Sequence, residues 1–372
     1  MTDTMKNREA YLDQLRALAI FAVVCCHISA DVIILNPEVV MHSKTFFATL
    51  LFNSGRFIGV PIFVMLSGAL LINKKYSLSV FVKKRFNRVF VPFIFWVIVY
   101  IVFSVVVQEA TFKPKLVYNV FFAVRGATAG TILWFIWMLI FVYIGIFIIN
   151  KILEYAKSKS YERACINLLV IASLIFYVIY NSMNFKFETI LYYCSFIPYA
   201  VFGYYLTHTD FTNSLSNFKV NPKRIVIITF ILAVLSYLYF VSTIFFKSVA
   251  SNKFVSGSYF DFIVLILSFS IILFFRYLPK SEGAVSKRIN AFLTSKNISK
   301  AILSISLCSY GIYFIHILIL VFLEKKFLNQ IGWYNHPLFW VPILVVGIFL
   351  ASWFIIWVMS KIPYINRISG AS

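Results

Sequence analysis

The chain has 372 residues, of which 61% are hydrophobic and only 13% are charged. Soluble globular domains are about 45–50% apolar and about 25% charged, so this composition excludes a soluble domain and indicates an integral membrane protein. The formal net charge of +21 would suit nucleic-acid binding, but the placement of the basic residues between apolar segments gives a different explanation.

Ten runs of about 20 apolar residues follow one another, and each is long enough to span a bilayer as a helix. We therefore predict an all-α integral membrane protein, a bundle of about ten transmembrane helices forming a single domain, 1–372. Gly55, Gly59 and Pro61 predict a kink or break in the second span. The spans lie near 12–35, 46–72, 86–107, 131–150, 163–181, 189–207, 223–246, 259–278, 301–323 and 338–360.

The loops on one side of these spans carry 24 of the 34 lysines and arginines, and the loops on the other side carry 9. By the positive-inside rule, both termini are predicted to be cytoplasmic. Anionic lipid is a sufficient partner for this charge, so we expect contact with membrane lipid and not with nucleic acid. The abundance of Phe, Ile and Lys is typical of an AT-rich bacterial genome, which favours the bacterial cytoplasmic (inner) membrane.

The first span carries ionisable residues inside an apolar helix. Arg16 and His27 are eleven residues apart, so they share one helical face to within roughly 20° and are separated by about 16 Å along the axis. Asp13 precedes Arg16 by one turn on the same side. Asp31 follows His27 by one turn, where it either orients the imidazole or ends the helix in solvent. Ionisable groups within a membrane are candidates for function, although a lone histidine can also simply bond a backbone carbonyl.

Three polar side chains from three spans fall at a similar depth. His27 and His316 each lie about 15 residues from the cytoplasmic end of their spans, and Arg56 lies about 16 residues from the end of its own, or about 22 Å in. This coincidence favours a shared site within the membrane. For His316, a purely structural role remains equally open.

A basic cluster, Lys83-Lys84-Arg85-Phe86-Asn87-Arg88, precedes the third span. Flanking charge of this kind can serve only to hold a loop in the cytoplasm. Arg85 and Arg88, however, are three residues apart, which places both guanidinium groups on one helical face. Since a guanidinium offers a planar pair of donors to phosphate oxygens, we predict a phosphate-binding site here. No zinc-ligand spacing, Walker loop or dinucleotide fingerprint occurs, so no metal or resident cofactor is predicted.

Five stretches, in this order, resemble the membrane-bound acyltransferase 3 family, and within it the single-domain polysaccharide O-acetyltransferases of the enterobacterial common antigen type. Gln14 and Ala17 stand where the family more often has glycine. The stretches are LDQLRALAIFAVVCCH with Arg16 and His27, the second span from Asn53 to Gly68, Arg85-x-x-Arg88 with Pro92, Leu133-Trp134-Phe135, and Ser309-Tyr310-Gly311-Ile312-Tyr313-Phe314-Ile315-His316.

This resemblance implies transfer of an acyl group, usually acetyl, from cytoplasmic acyl-CoA to a hydroxyl of a cell-envelope glycan, an exopolysaccharide or a lipid-linked sugar. Acyl-CoA would be a co-substrate and not a bound cofactor. The resemblance also implies that Arg16, Arg85 and Arg88 bind the donor and that His27 is catalytic, either as a general base or as an acyl acceptor. Arg56 and His316 would then stabilise the oxyanion or bind the acceptor.

A transporter that exports a polysaccharide or lipid-linked sugar through the same bundle is the alternative. Many transporter folds are built from internal repeats, and no repetition between the two halves of this chain is evident. The sequence leaves open the acceptor sugar and whether the acyl group is acetyl or succinyl.

Overall fold

The computed structural model describes residues 9–35, 44–123, 132–182, 189–212 and 220–371. These residues form helices joined by short connections, with no β-strand among them. A π-helix, Phe86–Phe90, joins α4 to α5. The α-helices are α1 (Ala10–Leu35), α2 (Lys44–Asn53), α3 (Arg56–Leu71), α4 (Leu78–Arg85), α5 (Val91–Val106), α6 (Pro114–Phe121), α7 (Trp134–Ser158), α8 (Glu162–Ser182), α9 (Thr189–Cys194), α10 (Ile197–His208), α11 (Pro222–Ser251), α12 (Phe262–Tyr277), α13 (Ala284–Thr294), α14 (Lys296–Lys326), α15 (Pro337–Lys361) and α16 (Ile365–Ile368).

Nine helical segments in the described part of the chain are long and apolar enough to cross a membrane. This confirms the predicted all-α integral membrane protein. The predicted sixth span, 189–207, differs from expectation because it is divided into α9 and α10. Pro198 explains the division, since its ring has no N–H to donate and would clash with the carbonyl of Cys194 in a continuous helix.

The predicted break in the second span is confirmed, and it lies between α2 and α3 at Ser54 and Gly55. Gly55 is required there because a Cβ atom on it would lie 2.3 Å from the carbonyl oxygen of Ala22 in α1. The Asn53 side chain donates to the carbonyl of Cys26 at 3.4 Å. The interruption therefore presses the start of α3 against α1 near the middle of the bundle.

Helix α1 lies at the centre, packed against α3, α14 and α15. It runs parallel to α14, because the Ser306 side chain meets Asp13 near the start of α1 and His316 meets His27 further along. Helix α3 packs against α1 on one face and against α10 on the other. At the contact with α10, a Cβ on Gly68 would lie 1.8 Å from the carbonyl oxygen of Ala200. Close helix contacts through small residues are typical of membrane bundles. They fix where the polar side chains of α1, α3 and α14 meet.

Candidate active site

The two histidines predicted at a common depth are in direct contact. Nε2 of His316 lies 3.1 Å from Nδ1 of His27, and the two ring centroids are 5.0 Å apart. His316 is fully buried, whereas His27 keeps part of its surface exposed. The parallel packing of α1 and α14 brings the two imidazoles together.

The backbone carbonyls beside the two rings indicate which nitrogen of each histidine carries the hydrogen. Nδ1 of His316 lies 3.0 Å from the carbonyl oxygen of Ile312, so this nitrogen carries hydrogen and donates. Nε2 of His316 is then an acceptor for the N–H at Nδ1 of His27, which also lies 3.0 Å from the carbonyl oxygen of Val23. The lone pair of His27 is therefore on Nε2. Within the described residues, no hydrogen bond engages that atom.

Arg16 is held by two partners at the start of the bundle. Its Nη1 donates to the Ser306 hydroxyl at 3.1 Å and lies 3.8 Å from the Asp13 carboxylate. The Ser306 hydroxyl in turn donates to Asp13 at 2.6 Å. Asp13 and Ser306 are both buried, so this group fixes the guanidinium and links α1 to α14.

Arg85 is the last residue of α4, and Arg88 lies within the π-helix that joins α4 to α5. A single π-helical turn is rare and is often found at functional sites. The Arg85 guanidinium lies over the rings of Phe81 and Tyr143, with centroid distances of 5.9 and 5.5 Å. Its Nε is buried without a hydrogen-bond partner among the described residues. The aromatic contacts therefore orient a guanidinium whose Nε hydrogen is not used by the part of the chain that the structure describes.

All three arginines predicted to bind the donor line one cavity of about 480 Å³, together with Asp13, Tyr143 and the two serines of α14, Ser306 and Ser309. This volume is within the range of about 300–1,000 Å³ that is usual for small-molecule sites. Three arginines and one aspartate give the lining a formal excess of positive charge. The cavity is therefore suited to an anionic ligand such as a phosphate ester.

The cavity ends at Tyr313 on α14, and its lining includes neither histidine. The Tyr313 ring packs 6.2 Å from the ring of His316 and 5.4 Å from that of Phe135. Its hydroxyl donates to the carbonyl of Ile132. The Tyr313 ring thus lines the arginine-lined cavity and lies beside His316.

Arg56 is the first residue of α3 and approaches the histidines from the other side. The residue before it, Gly55, packs against Ala22 of α1, five residues before His27. Nη2 of Arg56 donates to the Ser256 hydroxyl at 2.8 Å, and the guanidinium carbon lies 4.8 Å above the ring of Phe57. The break between α2 and α3 is what places this charge beside α1.

Asp31 lies one turn beyond His27 and is engaged with α14. Its carboxyl group lies close to that of Glu324. Among the described residues there is no hydrogen bond between Asp31 and His27. The imidazole is oriented instead by the Val23 carbonyl and by His316.

The sequence interpretation did not identify Ser306, Tyr143 or Glu324 as parts of this region, and it named Tyr313 only within the motif that ends at His316. Ser306 falls ten residues before His316, so the spacing of Arg16 and His27 on α1 nearly repeats on α14. That repetition is a signal for two parallel helices with matched polar positions. The contributions of Tyr143 and Glu324 depend on tertiary packing, and no pattern in the sequence indicates them.

The fold and this site define a multi-pass membrane protein in which a cavity lined by three arginines lies beside a pair of histidines in contact. The family model described as Acyltransferase domain, acyltransferase 3, matches residues 9–357. The chain belongs to this family and is a membrane acyltransferase. Comparison with curated proteins and with solved structures gives no match.

Proposed function

We propose that the protein transfers an acyl group, most often acetyl, from acyl-CoA to a hydroxyl of a cell-envelope glycan or lipid-linked sugar. The observation that supports this most strongly is the order of groups along α14: an arginine-lined cavity, then Tyr313, then a histidine bonded to His27. A phosphate-bearing donor bound in the cavity would therefore lie close to a histidine that can act as general base.

In the proposed reaction, Arg85 and Arg88 bind the phosphates of CoA, and Arg16 extends the positive surface deeper into the cavity. Asp13 and Ser306 hold Arg16 in place. The thioester at the end of the pantetheine arm then lies toward Tyr313. Because the cavity ends at this ring, transfer requires the Tyr313 side chain to move aside or the acceptor hydroxyl to meet the thioester at its edge.

The chemistry uses the lone pair on Nε2 of His27. As general base, this nitrogen takes the proton of the sugar hydroxyl while the oxygen attacks the thioester carbonyl. The new C–O bond forms, the C–S bond breaks, and the proton passes to the thiolate to give CoA-SH. The same lone pair would attack the thioester directly if His27 carries the acyl group as an intermediate. Arg56 stabilises the oxyanion or binds the acceptor.

We place the basic end of the bundle, where Arg16, Arg85 and Arg88 lie, in the cytoplasm of a bacterium, because CoA is cytoplasmic and the loops at that end carry most of the positive charge. The acceptor glycan approaches from the opposite end. The narrower resemblance to polysaccharide O-acetyltransferases of the enterobacterial common antigen type supports this choice of acceptor.

The test is whether purified protein consumes acetyl-CoA. We expect release of free CoA thiol, and mass spectrometry of envelope glycans from cells with and without the protein should show an added 42 Da per site if the group is acetyl. Succinyl-CoA as a competing donor distinguishes the two acyl groups. Export of a glycan without consumption of any acyl-CoA would contradict the proposal and favour the transporter.

A further inference from the structure

A cluster of aromatic side chains lies on the far side of Tyr313 from the arginine-lined cavity. Trp134, at the start of α7, has its ring centroid 6.0 Å from that of Tyr259, in the connection between α11 and α12. Tyr259 lies 5.1 Å from Phe57 on α3. Phe57 is buried, whereas Trp134 and Tyr259 are each partly exposed. We call Trp134 and Tyr259, with Arg56 and Ser256, the aromatic site.

The aromatic site is connected to the histidine pair through two routes. The Tyr313 hydroxyl donates to the carbonyl of Ile132, two residues before Trp134. Arg56 stacks on Phe57 and directly follows Gly55, which packs against Ala22 of α1, five residues before His27. The aromatic site therefore lies close to Tyr313, which lines the donor cavity, and to the part of α1 that carries His27.

The chemistry of the aromatic site suits a sugar. A pyranose ring has apolar C–H faces and a rim of hydroxyl groups, so it is bound by flat aromatic surfaces with a few polar groups at their edge. Trp134 and Tyr259 supply the partly exposed aromatic surfaces. Arg56 and Ser256, bonded at 2.8 Å, supply the polar edge, and Nε of Arg56 has no hydrogen-bond partner among the described residues.

Tryptophan and tyrosine are also common at membrane interfaces, where they face lipid headgroups. The aromatic site differs from such a belt, since Trp134 packs on Tyr259, Tyr259 packs on the buried Phe57, and Phe57 carries the Arg56 guanidinium over its ring. Trp357 on α15 provides the contrast, with 42% of its surface exposed on the outside of the bundle.

We propose that the aromatic site binds a pyranose ring of the acceptor glycan and presents its hydroxyl to His27. The inference rests on the proposed function, in which a glycan is the acceptor. Trp134 and Tyr259 would be determinants of acceptor binding without any role in binding the donor. Substitution of either residue would therefore impair acyl transfer to the sugar, while acetyl-CoA would still bind from the basic end of the bundle.

The experiment uses membranes that contain the full-length protein and radiolabelled acetyl-CoA. Two quantities are measured: the KM for acetyl-CoA from the release of CoA thiol, and the label in glycan extracted from the same membranes. We expect Trp134→Ala and Tyr259→Ala each to lower glycan labelling by about tenfold or more, with the KM for acetyl-CoA unchanged. Trp134→Phe should retain most of the labelling because it keeps an aromatic face. Trp357→Ala is the matched control and should behave as the wild type.

Wild-type labelling in both alanine variants would overturn the inference, and so would a KM for acetyl-CoA raised as strongly as labelling falls. If Trp134→Ala does not fold, as judged by size-exclusion chromatography, Trp134→Leu carries the same prediction because it keeps apolar bulk without a flat ring. A wild-type protein that neither consumes acetyl-CoA nor labels glycan would instead overturn the proposed function itself.

Discussion

At the scale of single residues, the histidine pair behaves as one unit. His316 accepts a hydrogen bond from His27 and donates one to Ile312, so it fixes both the tautomer and the orientation of the His27 ring. The backbone carbonyl of Val23 gives a second constraint on the same nitrogen. In many hydrolases a carboxylate fixes a catalytic imidazole in this way; here a second imidazole occupies that position.

His316→Ala should therefore reduce kcat for glycan acylation by about tenfold or more, with little change in the KM for acetyl-CoA. The double variant His27→Ala/His316→Ala should be no slower than His27→Ala alone, because residues that act as a unit are not additive. Steady-state assays on the three variants and the wild type provide the comparison. Equal and independent losses from the two histidines would show that they do not act together.

The arginine pair can be tested against a control of equal charge. Arg85→Ala with Arg88→Ala should raise the KM for acetyl-CoA by about tenfold or more, because both guanidinium groups line the cavity. Lys83→Ala with Lys84→Ala removes the same charge from side chains that do not line it, and should leave the KM within about twofold. A similar rise in the KM for acetyl-CoA in the arginine and lysine variants would mean that the basic residues attract the donor through their overall charge and do not bind its phosphates specifically.

At the scale of helices, the position of α3 determines the site. Its first residue, Arg56, lies beside His27 only because α2 ends at Asn53 and Gly55 allows contact with α1. Its other face contacts α10 at Gly68 and Gly203, where neither residue leaves room for a Cβ. Helix α3 is thus held between two neighbours through glycines on both faces.

Gly68→Ala should consequently lower the stability of the protein in detergent, since overpacking a close contact costs about 1–3 kcal/mol. The control is Gly347→Ala in α15, where a new Cβ would meet no atom within 4 Å. That substitution should leave the melting temperature unchanged or raise it, because alanine is favoured over glycine in helices. Melting curves from fluorescence-detected size exclusion measure both. A Gly68→Ala protein as stable as wild type would show that α3 and α10 can separate without cost.

The helices show where sequence patterns succeed and where they do not. Apolar length predicts ten spans, nine of which correspond to helical segments long enough to cross a membrane in the described part of the chain, and the residue types Pro198 and Gly55 account for the two interruptions. The periodicity of a helix also places Arg16 and His27 on one face. Periodicity cannot show which helices are neighbours, so it does not predict that Asp31 meets Glu324 or that Tyr313 closes the cavity. Those contacts depend on how α14 packs against α1 and α7.

At the scale of the whole molecule, the proposed function depends on which end of the bundle faces the cytoplasm. The arginine-lined cavity opens at one end of the bundle, and the aromatic site lies beyond Tyr313, farther from that end. If CoA is the donor and a glycan is the acceptor, the first end must face the cytoplasm. The distribution of lysine and arginine predicts the same orientation.

A fusion of the C-terminus to a reporter tests the orientation directly. Both termini are predicted to be cytoplasmic, so a fluorescent protein that folds only in the cytoplasm should be bright, and alkaline phosphatase, which is active only outside it, should be inactive. Fusion of each reporter after Gly257, in the connection between α11 and α12, should give the reverse result. The opposite pattern at both positions would place the arginines outside the cell, where CoA is absent.

The most direct test of the central claim is acyl transfer by the His27→Ala protein. Purified wild type and variant are given labelled acetyl-CoA and membranes that contain the acceptor glycan, and the label in the glycan is measured. The account predicts that the variant elutes as a folded protein and still binds acetyl-CoA, because His27 does not line the cavity. Its glycan labelling should fall by a factor of about 10²–10⁴. Labelling at the wild-type rate by a folded His27→Ala protein would contradict the account.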